Sequence, residues 1–158
     1  MLIAVVSDTH RIKKYIEAVK THLQGVDVLI HLGDNVDDVL DLSEGFQGEV
    51  YAVTGNCDYS NDYPIERIIE LNGVKILATH GHAYNVKYGL NNLYYRVQEV
   101  GANIGLFGHT HQELIINENG ITLMNPGSVS LPRGKGRHIG FIKLEEGKEP
   151  EVYLQTIE

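Results

Sequence analysis

The chain has a single cysteine, Cys57, no tryptophan and four prolines in 158 residues. One cysteine cannot form an internal disulfide, so stability must come from a packed core, and such usage suits a reducing compartment. Positive charge is also scarce. Lys and Arg number 13 against 21 Asp and Glu, a formal net charge of -8 with histidines neutral. That surface repels nucleic-acid phosphates and argues against a general nucleic-acid binder, although bound divalent cations would add positive charge that the formal count omits. No apolar run approaches the roughly 20 residues of a membrane helix. The opening Met1-Leu2-Ile3-Ala4-Val5-Val6 is too short for a signal peptide and lacks a basic flank. It reads as a strand, and the protein is expected to be cytoplasmic with no membrane partner.

The length fits one globular domain over 1–158 with a core of ordinary size. Residues 2–7 form an apolar run that ends in Ser-Asp-Thr-His, the pattern of a buried strand followed by a functional loop. Residues 11–23 place Ile12, Tyr15, Ile16, Val19 and Leu23 at helical spacing. Residues 28–32 and 50–54 are two more strands, with a short helix predicted over 36–42. A strand–helix–strand start predicts a parallel sheet with a crossover. Further on, 65–71 and 74–79 flank Asn72-Gly73, a strong hairpin signal. The spacing predicts a helix over 90–100 and a strand over 103–108. It also predicts a hairpin of 113–117 and 121–125 around Glu118-Asn119-Gly120, and a final strand pair over 139–144 and 152–157. The expected fold is mixed α/β, parallel early and antiparallel late.

The chemistry-bearing residues gather where the strands end. Asp8-Thr9-His10 follows the first strand. On an extended backbone, residues i and i+2 point the same way, so a carboxylate and an imidazole can grip one ion. Gly33-Asp34 ends the second strand, where Asp34 can equally cap the next helix; Asp37 and Asp38 read as first-turn carboxylates favoured by the helix dipole. Gly55-Asn56-Cys57-Asp58 ends the third, offering a neutral amide oxygen or a simple turn. Thr79-His80-Gly81-His82 and Gly108-His109-Thr110-His111 end two more. Five strand ends that each deliver Asp, Asn or His are not the scatter expected of surface residues. In open α/β sheets, sites form at such carboxyl ends.

This ordered series resembles the calcineurin-like metallophosphoesterase superfamily: Asp8 and His10, Gly33-Asp34, Gly55 to Asp58, His80 to His82, and Gly108 to His111. Asn125-Pro126-Gly127-Ser128 also resembles the small bacterial and archaeal branch that includes the YfcE-like phosphodiesterases. The resemblance implies an αββα sandwich, two mixed β-sheets flanked by helices. It implies one divalent metal among Asp8, His10, Asp34 and His111, a second among Asp34, Asn56, His80 and His109, and Asp34 as the bridge. Mixed nitrogen and oxygen donors suit transition metals better than Mg or Ca; manganese is the first expectation, with Ni, Co, Fe or Zn as alternatives. Two such ions about 3.5–4 Å apart acidify a water that attacks phosphorus in line with the leaving oxygen. The implied substrate is a small phosphate ester, foremost a phosphodiester; a sugar phosphate, a nucleotide and a cyclic dinucleotide all remain open. A homo-oligomer is compatible with this.

One position departs from the family. Many members carry His after the motif Asn, where it assists the leaving group; here the residue is Cys57, whose thiol has an unperturbed pKa near 8.5. Cys57 is expected to be small, buried and reduced, with a catalytic role as the alternative. Leaving-group help is then weak or comes from elsewhere, and activated aryl esters should react far better than alkyl esters. His82 is the spare acid or phosphate contact, with hydrogen bonding inside its own loop as the competing role. His31 is expected to orient a ligand from behind. Arg11 reads as a solvated helix end. The basic loop 133–137 either reaches over the substrate or keeps the loop soluble. Two rival functions remain: a scaffold, because a eukaryotic retromer subunit is similar to this branch but has eroded metal motifs, and a nuclease, because larger relatives cut DNA.

Overall fold

The computed structural model describes residues 1–59 and 61–157. Strand β1 (Leu2–Val6) is apolar without alternation because both of its faces are covered. Ile3 and Val5 pack into the space between two sheets, whereas Ala4 and Val6 meet a helix layer outside. Helix α1 (Lys13–Lys20) supplies that layer through Ile16 and Val19. It is shorter than its periodicity predicts. Arg11 has a φ of 60° and Ile12 is extended, so the first predicted turn is a loop.

Strands β2 (Val28–His31) and β3 (Glu49–Ala52) continue the first sheet in parallel, separated by a 3₁₀ turn (Val36–Asp38) and helix α2 (Val39–Ser43). The chain then enters a second sheet with β4 (Glu66–Leu71) and β5 (Val74–Thr79), an antiparallel hairpin. Its two-residue turn has φ of 47° at Asn72 and 78° at Gly73, the paired left-handed geometry that the Asn-Gly dipeptide favours. Helix α3 (Asn91–Glu99) crosses over to β6 (Ile104–Leu106), and β7 (Leu114–Glu118) with β8 (Ile121–Asn125) form another hairpin. Finally β9 (His138–Lys143) and β10 (Glu151–Thr156) return to the first sheet beside β1.

The sheet orders are β10-β9-β1-β2-β3 and β4-β5-β6-β8-β7. The residue pattern pointed to an antiparallel second half, but the second sheet is mixed, as the family resemblance implies. β5–β6 and β6–β8 are parallel pairs. Helix α3 is a crossover, and a crossover returns the chain in the same direction. The sheets stack through Ile3, Val5 and Ile30 against Ile76, Ile104 and Met124. On the outer face of the second sheet, Leu93 and Val97 of α3 cover Leu77 and Leu123. The layers are helix, sheet, sheet, helix, as expected. The carboxyl ends of β1, β2, β3, β5, β6 and β8 converge at one edge of the sandwich. No helix among the described residues is long and apolar enough to cross a membrane.

Candidate metal centre

The loops at that edge are not extended. Asp8, His10, Asp34, His109 and His111 have φ of 56°, 49°, 62°, 70° and 60°. The convergence of Asp8 with His10 and of His109 with His111 therefore arises from left-handed backbone, not from strand alternation. Such a conformation costs a non-glycine residue about 1–2 kcal/mol and persists only where its surroundings fix it.

Buried hydrogen bonds do the fixing. Asp58 accepts three backbone N–H groups, from Asp34 (2.9 Å), Gly55 (2.8 Å) and Val36 (3.0 Å). It thereby takes the capping role that Asp34 could have held, and Asp34 Oδ1 instead receives the Cys57 N–H at 3.0 Å. Asp38 lies in the first turn of the 3₁₀ segment as expected, but it is buried and accepts from the Thr9 hydroxyl (2.5 Å) and the Arg11 N–H (2.9 Å). Ser128 donates to the Asp8 carbonyl at 2.7 Å, and Ser130 donates to the Thr9 carbonyl at 2.5 Å. Asn125 donates to the Gly108 carbonyl at 3.1 Å and to Thr110 Oγ1 at 2.9 Å. The Asn-Pro-Gly-Ser segment thus ties together the Asp8 loop and the His109 loop. Close approach also requires glycine. A Cβ at Gly55 would collide with Asp34 Oδ1, and one at Gly108 with Ser7 Oγ, lying 2.8 Å from Asp8 Oδ2.

Within this frame, Asp8, His10, Asp34 and His111 each present one donor atom, all within 4.8 Å of one another. Asp8 Oδ2 is occupied by the Ser7 hydroxyl (2.5 Å) and the His109 N–H (3.2 Å), whereas the buried Oδ1 has no hydrogen-bond partner. That oxygen lies 3.1 Å from His111 Nε2, and the Nε2 atoms of His10 and His111 lie 3.3 Å apart. A second group stands alongside. His80 Nε2 is 3.4 Å from Asp34 Oδ1 and 3.2 Å from His109 Nδ1. Asp34 Oδ2, at 4.0 Å, faces His10. The two oxygens of Asp34 are thus shared between the two groups.

The proton positions suit metal binding. His80 Nδ1 lies 2.8 Å from the Leu32 carbonyl, and His111 Nδ1 lies 2.8 Å from the Leu131 carbonyl. A carbonyl only accepts, so each Nδ1 carries the proton and each Nε2 turns a lone pair inward. Imidazole nitrogens paired at this distance, one of each pair with its lone pair turned inward, beside an orphaned carboxylate oxygen, fit a bound cation. Metal–nitrogen bonds of about 2.0–2.1 Å at tetrahedral angles place two nitrogens roughly 3.3 Å apart. Burial alone would raise the Asp8 pKa, but His10, His111, His80 and the Ser7 hydroxyl outweigh it and hold Asp8 well below the usual carboxylate range. The neighbouring Asp8 carboxylate, 3.8 Å away, raises the His10 pKa against its burial. Burial, His80 and Lys87 push His109 down to about 4.

The remaining expected residues fall as follows. Asn56 is exposed on the loop beside Asp34, and its amide lies 3.8 Å from Cys57 Sγ; among the described residues it makes no hydrogen bond to the other six. Cys57 is exposed, not buried as expected, because its backbone rather than its side chain is used to hold Asp34. Partial burial and the nearby Asp34 raise its thiol pKa. His82 joins the imidazole group, with ring centroids 5.5 Å from His80 and 6.3 Å from His109. Its buried Nδ1 has no hydrogen-bond partner, and burial lowers its pKa. His31 is fully buried, and among the described residues it makes no hydrogen bond to a candidate ligand side chain. Its Nδ1 accepts from the Gly33 N–H at 3.0 Å, and its Nε2 lies 3.0 Å from Thr9 Oγ1. It steadies the backbone on either side of the ligands. Arg11 is exposed, outside the helix. The basic loop divides: Arg137 stacks over Tyr15 at 4.0 Å, away from the centre, while the Arg133 N–H is bonded to the His111 carbonyl at 2.8 Å. Sequence reading placed Thr9, Asp58 and Ser128 inside motifs and Asp38 in a helix first turn without giving any of them this clamping role, and it passed over Ser130.

Two stacked mixed sheets with a cluster of carboxylates and imidazoles at their carboxyl ends define a metal-dependent hydrolase of the phosphoesterase type. The chain belongs to the calcineurin-like phosphoesterase superfamily, whose domain matches residues 1–147. It is 38% identical over 136 residues to a probable metallophosphoesterase of Bacillus subtilis, covering 84% of this chain and 78% of that protein. It is 26% identical over 174 residues to a phosphodiesterase of Methanocaldococcus jannaschii, covering 98% of this chain and 100% of that protein. Among solved structures, a predicted phosphoesterase from Streptococcus pneumoniae superposes with a TM-score of 0.81 at 33% identity, over 98% of this chain and 88% of that one. A Vps29 variant from Entamoeba histolytica has the same fold, with a TM-score of 0.81 at 20% identity over 98% of this chain and 91% of that one.

Proposed function

We propose that this chain is a two-metal phosphodiesterase acting on a small phosphate ester, with Asp34 shared between the ions. One ion would sit among Asp8, His10, Asp34 and His111; the other among Asp34, Asn56, His80 and His109. The observation that carries this is the partnerless buried Asp8 Oδ1 beside two pairs of facing imidazole nitrogens. When bound, the ions supply Lewis acidity, both to acidify a water and to neutralise charge on the phosphoryl group.

The chain's own residues do the rest. Asp8 stays ionised, and the Leu32 and Leu131 carbonyls keep His80 and His111 in the tautomer that presents Nε2. His82, neutral at pH 7 and beside both His80 and His109, is placed to hydrogen-bond the phosphate or the leaving oxygen. Cys57 holds its proton tightly and is a poor partner for that oxygen, so aryl esters with good leaving groups are the better substrates. Manganese as the native ion, a single domain over 1–158, no stable nucleic-acid complex, a homo-oligomeric state and a cytoplasmic setting belong to the same reading. It is supported by the mixed donor set, the acidic surface and the lone unpaired thiol.

The test is hydrolysis of bis-p-nitrophenyl phosphate with added manganese, beside Asp34→Asn. Metal-dependent turnover that the substitution abolishes is expected. No turnover of any ester by the metal-loaded protein overturns the reading in favour of a scaffold.

A further inference from the structure

Beside the candidate centre lies a groove of about 400 Å³ that the proposed chemistry does not use. Thr110, which stands between His109 and His111, forms part of its wall, so the groove adjoins the loop that presents both imidazoles. Its volume falls within the range of small-molecule sites, roughly 300–1,000 Å³.

Two chemistries meet there. Val86, Leu90, Phe107 and Leu114 give an apolar wall. Lys87 and Arg133 give two exposed cations, and neither forms an ion pair among the described residues. In a chain of net charge -8, two unpaired cations facing one groove are a local reversal of the surface. Lys87 is near enough for its charge to act on His109, and the Arg133 backbone is bonded to His111. Lys87 therefore stands beside the centre, and the backbone of Arg133 adjoins it. Glu113 also lines the groove, but its carboxylate is turned away from a ligand: Oε1 accepts the Lys135 N–H at 2.7 Å, and the buried Oε2 is packed against Gly134.

We propose that this groove is the subsite for the leaving half of a phosphodiester, and that the half it fits is nucleotide-like. Its ring system packs on the apolar wall, and a second phosphate meets Lys87 and Arg133. The inference rests on the phosphoesterase reading and names the substrate class of that same site. It also gives the basic loop a use through Arg133 alone, because Arg137 is committed to Tyr15.

The first experiment reads binding without chemistry. Adenosine monophosphate is titrated into metal-free protein and followed by NMR. Shifts at Val86, Thr110 and Leu114 are expected, with adenosine alone binding about tenfold more weakly. Lys87→Gln and Arg133→Gln should each weaken adenosine monophosphate about tenfold, the worth of one charge-assisted contact. Both positions are exposed, so the variants should fold. No shifts in the groove, or variants that bind like the wild type, overturn the proposal. The second experiment compares a dinucleotide bearing a terminal phosphate with the same dinucleotide lacking it. The double variant should lose kcat/KM on the phosphorylated one while retaining bis-p-nitrophenyl phosphate turnover. Equal loss on both dinucleotides, with that turnover intact, overturns the subsite and spares the phosphoesterase reading. Absence of all turnover in the wild type overturns the phosphoesterase reading instead, and the titration then decides the groove.

Discussion

The two ends of the sandwich use the same backbone conformation with different residues. At the amino ends of β5 and β8, the chain turns through Asn72-Gly73 and Asn119-Gly120, with φ of 47° and 78° in one and 51° and 77° in the other. At the carboxyl ends, the left-handed residues include Asp8, His10, Arg11, Asp34, His109 and His111. Asn and Gly enter that region readily, so the amino-end turns hold themselves. The carboxyl-end residues are there for their side chains, and their conformation is imposed from outside by Asp58, Asp38, Ser128 and Ser130. Conformation selects the residues at one end; chemistry selects them at the other.

Glycine substitution at the two ends should separate these cases most widely. Gly108→Ala drives a Cβ into Ser7 and against Asp8, and should lower metal affinity and turnover by about 100-fold, the upper range for a disturbed support of a metal ligand. Gly73→Ala meets nothing within 4 Å. It should cost about 1 kcal/mol in a urea titration for its positive φ and leave kcat/KM unchanged. Equal losses of activity would erase the contrast. Asp58→Ala comes next. It strands three backbone N–H groups, and should cost about 3 kcal/mol of stability together with a roughly tenfold loss of metal affinity. A loss of stability with metal affinity intact would mean that the Asp34 loop needs no external clamp.

Acid should act on the clamped end as well. Burial depresses the His31 pKa from 6.5 to about 4. The unfolded chain therefore binds the proton first, so the neutral imidazole's contribution is complete above pH 6.5 and is lost as pH falls toward 4. Between pH 7 and 4.5 this one group should remove about 2 kcal/mol, read as a falling urea midpoint whose slope flattens in His31→Gln. An unchanged slope in that variant would place the proton uptake elsewhere. The smallest effect belongs to Arg11, left-handed and exposed at the site end. Arg11→Gly should stabilise the protein by up to about 1 kcal/mol; a lower midpoint would show that the arginine is not strained there.

The same contrast explains what could be read from the chain. The Asn-Gly hairpins, the doubly covered β1 and the helix, sheet, sheet, helix order were legible, because local propensity and burial agree there. The site's residue types were legible from their order at the strand ends. Their geometry was not, since no local signal places Asp8 or His109 in the left-handed region. The clamps were hidden for a related reason. Asp58, Asp38 and Ser128 look like ordinary turn residues, and although Asp58 also holds the local Gly55, the loops they clamp lie 22–24, 27–29 and 120 positions away. Cys57 was misjudged because a lone cysteine is usually buried, whereas here only its backbone serves the fold. The residue pattern alone did not show the parallel centre of the second sheet, which only the resemblance implied, because two strong hairpin signals drew that pattern toward antiparallel pairing.

The central claim is that Asp34 divides two metal sites, and counting ions tests it most directly. Titration of manganese into metal-free protein by calorimetry should give two ions per chain. His111→Ala and His80→Ala should each retain one, in different sites, and Asp34→Asn should weaken both. A single ion in the wild type, or the same site lost in both histidine variants, would contradict the account.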